Sequence, residues 1–113
     1  MMWTVQVSPL AETELKTMPT DIQARFVHIS EMLQEFGPQS VGLPHVRFLQ
    51  DKLREMRMKG RDGIARAIYV AQTGKQLVMM HVFIKKTEKT PRKALKTAAE
   101  RLRRINNGQP ERS

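Results

Sequence analysis

From Leu53 to Lys85 the chain reads as three β-strands in close succession. Leu53 to Lys59 alternates Met56 and Met58 with Glu55 and Arg57, the two-residue period of a strand with one buried face. Gly60-Arg61-Asp62-Gly63 is a turn, Ile64 to Ala71 the next strand, Thr73-Gly74-Lys75 the next turn, and Gln76 to Lys85 the last strand. Connections this short join only antiparallel neighbours, so the segment predicts a meander. Any fold for the chain must cover at least one face of that sheet.

The flanking segments supply the cover. Trp3 to Ser8 alternates as a strand, and Ser8-Pro9 reads as a helix N-cap with proline at the first helical position. A short helix with Leu10 and Leu15 inward is expected to stop near Met18-Pro19. Thr20 is the expected cap of a second helix, whose Ile22, Phe26, Ile29, Leu33 and Phe36 form one apolar stripe until Gly37-Pro38 ends it. Val46 to Leu49 is a further short strand. Pro91 opens a final helix with Leu95, Ala98, Leu102 and Ile105 on one side and Lys93, Lys96, Arg103 and Arg104 on the other. The predicted class is α+β: a strand, two helices, a three- or four-stranded antiparallel meander and a C-terminal helix. One domain is expected over 1–105, with a flexible polar tail over 106–113. One sheet face is expected beneath the helices and the other open for binding.

Charge narrows the partner. Residues 1–44 carry two cations and five anions, a net of −3, whereas residues 45–113 carry 18 cations and six anions, a net of +12. So polarised a basic surface favours a polyanion, most simply nucleic acid. The chain has no cysteine, which excludes disulfides, thiolate nucleophiles and cysteine metal sites. The N-terminus lacks the pattern of a signal peptide, and no apolar run approaches a membrane span. A cytoplasmic location without membrane association is expected. His28, His45 and His81 are widely separated, and no metal-ligand spacing or phosphate-binding glycine loop is present, so no metal or cofactor is expected.

Strand parity then sorts candidates for the open face. In the last strand, Val78, Met80, Val82 and Ile84 form an apolar set expected beneath the helices, leaving His81, Phe83 and Lys85 opposite. Ala67 and Tyr69 suit a covered face, which places Arg66 on the open one. Met56 and Met58 are the core set of their strand, so Glu55 and Arg57 join Arg66. Lys86 and Lys89 form a rim, extended by Arg92 and Lys93. Each has a plainer reading. Glu55 and Arg57 would make an ordinary solvated pair, His81 and Phe83 a structural edge, and the lysines a solvated rim. Arg66, a lone charge among apolar neighbours, is harder to dismiss, because an unpaired charge there is costly.

The stretches Leu53-Arg54-Glu55-Met56-Arg57, Arg66-Ala67-Ile68-Tyr69 and His81-Val82-Phe83-Ile84-Lys85-Lys86-Thr87-Glu88-Lys89-Thr90-Pro91 carry a resemblance. With Leu43-Pro44-His45-Val46 and Leu49-Gln50-Asp51-Lys52-Leu53, they resemble the phage-derived, HigB-like branch of the RelE/ParE toxin superfamily over roughly residues 3–105. The chain departs from that branch at Arg54, where an aromatic is common, and at Val82, where glycine is common. The first changes a surface and the second favours strand. The resemblance implies a type II toxin, a ribosome-associated endoribonuclease that cuts mRNA during translation. It also implies a hetero-oligomer with a cognate helix-turn-helix antitoxin. The superfamily's strand arginine matches Arg66, and its basic strand terminus matches Lys85 and Lys86.

Cleavage of RNA without metal requires that the 2′-hydroxyl lose a proton, that the phosphorane be stabilised, and that the departing 5′-oxygen gain a proton. Arg66 and Arg57 suit the second task. His81 titrates near neutrality by type and suits the role of acid. The base is Glu55 or a lysine such as Lys85 in the cationic cluster. Phe83 offers a stacking platform for a base, and Lys86, Lys89, Arg92 and Lys93 offer phosphate contacts. Two alternatives share the sequence features: a ParE-like inhibitor of DNA gyrase, and a nucleic-acid-binding module without catalysis.

Overall fold

The chain begins with an edge strand that returns to pair with the last strand of the meander. The computed structural model describes residues 2–42, 45–72, 74–85 and 90–108. Its elements are β1 (Thr4–Val7), α1 (Pro9–Lys16), α2 (Thr20–Phe36), β2 (Val46–Gln50), β3 (Leu53–Lys59), β4 (Ile64–Gln72), β5 (Gln76–Lys85) and α3 (Arg92–Asn106). The sheet order is β1-β5-β4-β3-β2. β2 to β5 form the expected antiparallel meander, and β1 runs parallel to β5. The bounds of β3 and β5 are those read from the sequence.

Local chemistry explains the ends of the elements. The Ser8 hydroxyl accepts the Ala11 N–H at 3.4 Å, which caps α1. At α2 the expected cap shifts by one residue: Thr20 is already helical, Pro19 is the cap, and the Asp21 carboxylate takes the Ile22 N–H at 2.9 Å. Gly37 ends α2 at φ 84°, a conformation that favours glycine. Asp21 also accepts the Arg61 N–H at 2.6 Å, which pins the β3–β4 turn to the start of α2.

Helices cover both faces of the sheet, contrary to the expectation of one open face. On one side, Ile22, Phe26, Ile29 and Leu33 of α2 and Ala11 of α1 pack on Met56, Met58, Ala65, Ala67, Tyr69, Leu77, Met79 and Val82. Phe36, assigned to this stripe from its spacing, is exposed. On the other side, Ala94 and Ala98 of α3 bring that helix close to Leu53, Ile68, Val70, Val78 and Met80, with Leu95, Leu102 and Ile105 closing the contact. Alanine at the contact positions removes the bulk that would hold helix and sheet apart. α3 therefore covers part of the face predicted to be open.

A bulge in β5 overturns the parity reading there. The register runs Arg66↔Phe83, Ala67↔Val82, Ile68↔His81 and then Tyr69↔Met79, so Met80 is an extra residue. Val78 and Met80 consequently face α3, while Val82 faces α1 and α2. The four residues do not form one face, and Ile84 is 45% exposed. After the bulge, His81 and Phe83 lie on the same side as Val78 and Met80.

Candidate nucleic-acid interface

The site is built from two cross-strand rows on the α3 side of the sheet. One row runs Arg57↔Arg66↔Phe83 across β3, β4 and β5. The next runs Arg47↔Glu55↔Ile68↔His81 across β2 to β5. Glu55, Arg57, Arg66, His81 and Phe83, all proposed from parity, thus share one face. The extra residue at Met80 is what puts Val78, and with it the seat of α3, on that same face.

Glu55 is fully buried and forms the centre of the cationic part. It pairs with the buried Arg66 guanidinium and accepts a hydrogen bond from the Thr90 hydroxyl. Arg47 Nε approaches Glu55 Oε1 to 3.4 Å, near enough for ion pairing but outside hydrogen-bond geometry, and Arg47 Nη2 donates to Thr90 at 3.3 Å. The plainer reading of the sequence pairs Glu55 with Arg57 as a solvated pair. The structure pairs Glu55 with Arg66 instead, which removes the cost of a lone buried charge. Burial pushes the Arg66 guanidinium below its ordinary value, Arg57 and Arg47 add repulsion, and Glu55 opposes both. Arg66 Nε has no partner among the described residues. With two hydrogen-bond donors and the Arg47 guanidinium around it and no exposed surface, Glu55 is placed to hold arginines rather than to take a proton from a bound molecule.

Arg57 has a different environment. It opens onto a cleft of about 340 Å³ lined also by Arg25, His45 and Lys59, where β3 runs past the end of β2. This cleft continues the charged row around the sheet edge. Arg25 and His45 were not singled out from the sequence, because they come from α2 and from the approach to β2. A second cleft of about 420 Å³, lined by Leu53, Ala99, Leu102 and their neighbours, lies at the opposite end of the sheet and contains none of the predicted site residues.

His81 ends the second row. Its ring stacks on Phe83 with centroids 5.1 Å apart and planes 22° from parallel. Phe83 is half-buried against the α3 cluster, and the imidazole already occupies one side of its ring. His81 Nδ1 lies 3.0 and 3.1 Å from the two carboxylate oxygens of Glu14 in α1. Arg101 of α3 donates to the same carboxylate at 2.9 and 3.1 Å, and to the Met80 carbonyl at 2.9 Å. The Val82 N–H donates to Glu14 Oε1 at 3.0 Å. Partial burial pushes the Glu14 carboxyl up, but the bonds from His81, Arg101 and Val82 outweigh it and hold it at about 2. Neither Glu14 nor Arg101 was identified from the sequence. Each is an ordinary charged residue on an amphipathic helix until the fold brings them together across the edge of β5.

Lys86 and Lys89 lie outside the described residues, and so does the side chain of Lys85, whose backbone pairs with Ile64 at the end of β5. Arg92 and Lys93 are exposed in the first turn of α3. That turn follows Thr90, which is tied to Glu55, so these two cations stand at the border of the Arg66 row. Among the described residues, no group of three His, Asp or Glu side chains is arranged to hold a metal ion, and no helix is long and apolar enough to cross a membrane.

The sequence matches the profile of the phage-derived Gp49-like proteins (DUF891) over residues 13–103. The chain belongs to that family. Comparison with curated proteins gives no sequence match for this Gp49-like chain. Its fold is similar to that of the toxin RelE of Escherichia coli, solved in the free state as a double arginine-to-alanine mutant. That match has a TM-score of 0.57 at 17% identity, covering 93% of this chain and 99% of that one. It is also similar to a chain of the archaeal RelE–RelB complex from Pyrococcus horikoshii OT3, with a TM-score of 0.53 at 16% identity over 74% of this chain and 96% of that one. The Gp49-like chain therefore has a RelE-like α+β fold, as the sequence resemblance implied.

Proposed function

We propose that this protein is the toxin of a type II toxin–antitoxin pair and cleaves mRNA on the translating ribosome. The observation that carries the reading is the placement of Arg57, Arg66, His81 and Phe83 in adjacent rows on one face of a RelE-like sheet. Such a face combines fixed positive charge, a proton-transferring imidazole and an aromatic surface. These are the services that attack of a 2′-hydroxyl on its own phosphodiester requires, without a metal ion. Arg57 contacts the phosphate, and the Arg66 guanidinium, held by Glu55, adds positive potential beneath it. His81 moves the proton. Lys85, Lys86, Lys89, Arg92 and Lys93 hold the flanking backbone, and the cleft of Arg25, His45 and Lys59 extends that track.

The similarity to a RelE–RelB complex supports a partner antitoxin for this chain, with a helix-turn-helix domain as the HigB-like resemblance implies, acting in the cytoplasm. The family membership and the fold support a toxin; the imidazole beside the arginines favours nuclease action over a gyrase-binding or purely nucleic-acid-binding module.

Primer extension on a translated message, before and after induction, tests the reading. Wild type is expected to produce new 5′ ends that vanish when translation is blocked. Arg66→Ala and His81→Gln are expected to lower cleavage about 100-fold or more. Arrested growth with intact message would refute nuclease action.

A further inference from the structure

The node of Glu14, His81 and Arg101 joins three elements that are distant in sequence, and the proposed chemistry above gives Glu14 and Arg101 no task. Glu14 lies in α1, His81 in β5 and Arg101 in α3. Their side chains are 25%, 14% and 16% exposed, so the node is neither a core contact nor a loose surface pair.

Its hydrogen-bond directions assign the protons. Glu14 is ionised and accepts only, so each group facing it must donate. Arg101 donates through both terminal nitrogens, and the Val82 backbone donates its N–H. His81 Nδ1 faces both carboxylate oxygens at hydrogen-bond distance and must therefore carry a hydrogen. Arg101 Nη1 also lies 3.4 Å from Nδ1, but that nitrogen already donates to Glu14 and to the Met80 carbonyl at 2.9 Å. The longer approach is adjacency rather than a bond. In the neutral ring Nε2 is then left with its lone pair, and it has no hydrogen-bond partner among the described residues.

We infer that Glu14 is a positioning residue that holds His81 as the Nδ1–H tautomer and thereby makes Nε2 the base for the attacking 2′-hydroxyl. Arg101 fixes the carboxylate in turn. The inference rests on the nuclease reading and deepens it. It also fills the vacancy left by Glu55, whose carboxylate is sealed. In the step, the 2′-O–H proton passes to Nε2 as the 2′-oxygen bonds to phosphorus. The P–O5′ bond then breaks to leave a 2′,3′-cyclic phosphate. Water protonates the departing 5′-oxygen, and the imidazolium returns its proton to solvent. Glu14 stabilises the imidazolium while it exists.

The tautomer is measurable without activity. Nitrogen-15 spectra of the imidazole in the wild-type chain at a pH where the ring is neutral are expected to show His81 protonated on Nδ1. In Glu14→Gln the side-chain amide donates to Nδ1 and moves the hydrogen to Nε2. Single-turnover cleavage on programmed ribosomes is then expected to fall about 100-fold or more, with affinity for the ribosome changed less than about threefold. A merely structural Glu14 would leave cleavage by the folded variant near the wild-type rate. That result, or an Nε2–H imidazole in wild type, overturns the inference. Wild type that leaves message intact while its His81 carries hydrogen on Nδ1 overturns the nuclease reading instead. Should Glu14→Gln fail to fold, the wild-type spectrum alone decides the tautomer.

Discussion

Replacing Glu55 should damage the fold more than replacing Arg66, although the two are direct partners. Glu55→Ala removes the only carboxylate among the described residues that faces the Arg66 guanidinium. Arg66 is 3% exposed and cannot turn to water. Stranding a buried charge in this way costs about 3–5 kcal/mol. Arg66→Ala is milder, because Glu55 keeps Arg47 at 3.4 Å and the Thr90 hydroxyl. The loss there is one charge-assisted bond, about 2 kcal/mol. At about 4 °C per kcal/mol for a domain of this length, Glu55→Ala should lower the melting temperature by roughly 15 °C and Arg66→Ala by roughly 8 °C. Glu55→Leu combined with Arg66→Met should recover to within about 1–2 kcal/mol of wild type, since apolar replacement of a whole buried pair is often neutral. Differential scanning calorimetry of the four purified proteins makes the comparison. Equal melting of wild type and Glu55→Ala, or a larger loss in Arg66→Ala, would refute the assignment of Glu55 as the hub. The ordering also matters to the cleavage assay, because Arg66→Ala must be folded for its loss of activity to have meaning.

Two further perturbations test the packing and the edge node. The Glu14 carboxyl is held at about 2 against an ordinary value of 4.5, so the folded state binds fewer protons than the unfolded chain between those values. The stability Glu14 contributes is present above about pH 4.5 and disappears as pH falls through about 2. The shift corresponds to roughly 3 kcal/mol, which solvent screening of this partly exposed group reduces to about 1–2 kcal/mol. Urea denaturation should show that gap between wild type and Glu14→Gln at pH 6, narrowing towards pH 2; a gap that persists unchanged would be contrary. A Cβ at Gly60 would meet Ile22 Cγ1 at 2.6 Å and Asp21 Oδ2 at 3.0 Å, whereas one at Gly63 meets nothing within 4 Å. Thermal melts should therefore show Gly60→Ala losing about 1–3 kcal/mol and Gly63→Ala nearly unchanged, and similar losses for both would contradict this docking of the turn on α2.

Strand limits and the α2 stripe were legible because they depend on near neighbours. The turns at Gly60–Gly63 and around Gly74 fix where β3, β4 and β5 end, and the spacing of Ile22, Phe26, Ile29 and Leu33 fixes the buried side of α2. Alternation also placed Met56, Met58, Ala67 and Tyr69 correctly, since β3 and the first part of β4 have no irregularity. It failed in β5, where Val78, Met80, Val82 and Ile84 look equivalent and the extra residue leaves no compositional trace. The parallel return of β1 was equally hidden, because a four-residue strand carries no signal of its partner. The site was legible as a set of residue types on one face. Its pairing was not. Arg47, Glu14 and Arg101 acquire their meaning from contacts 8, 67 and 87 positions away in the chain, and no local pattern announces such contacts.

The inserted Met80 has one more consequence. Shortening β5 by that single position would restore strict alternation and rotate every side chain upstream of it half a turn relative to those downstream. Either the imidazole would swing into the layer beneath α1 and α2, or Val78 would leave the seat of α3. One residue of strand length thus governs whether His81 and the seat of α3 share a side of the sheet, which ties the layout of that face to an indel rather than to any substitution.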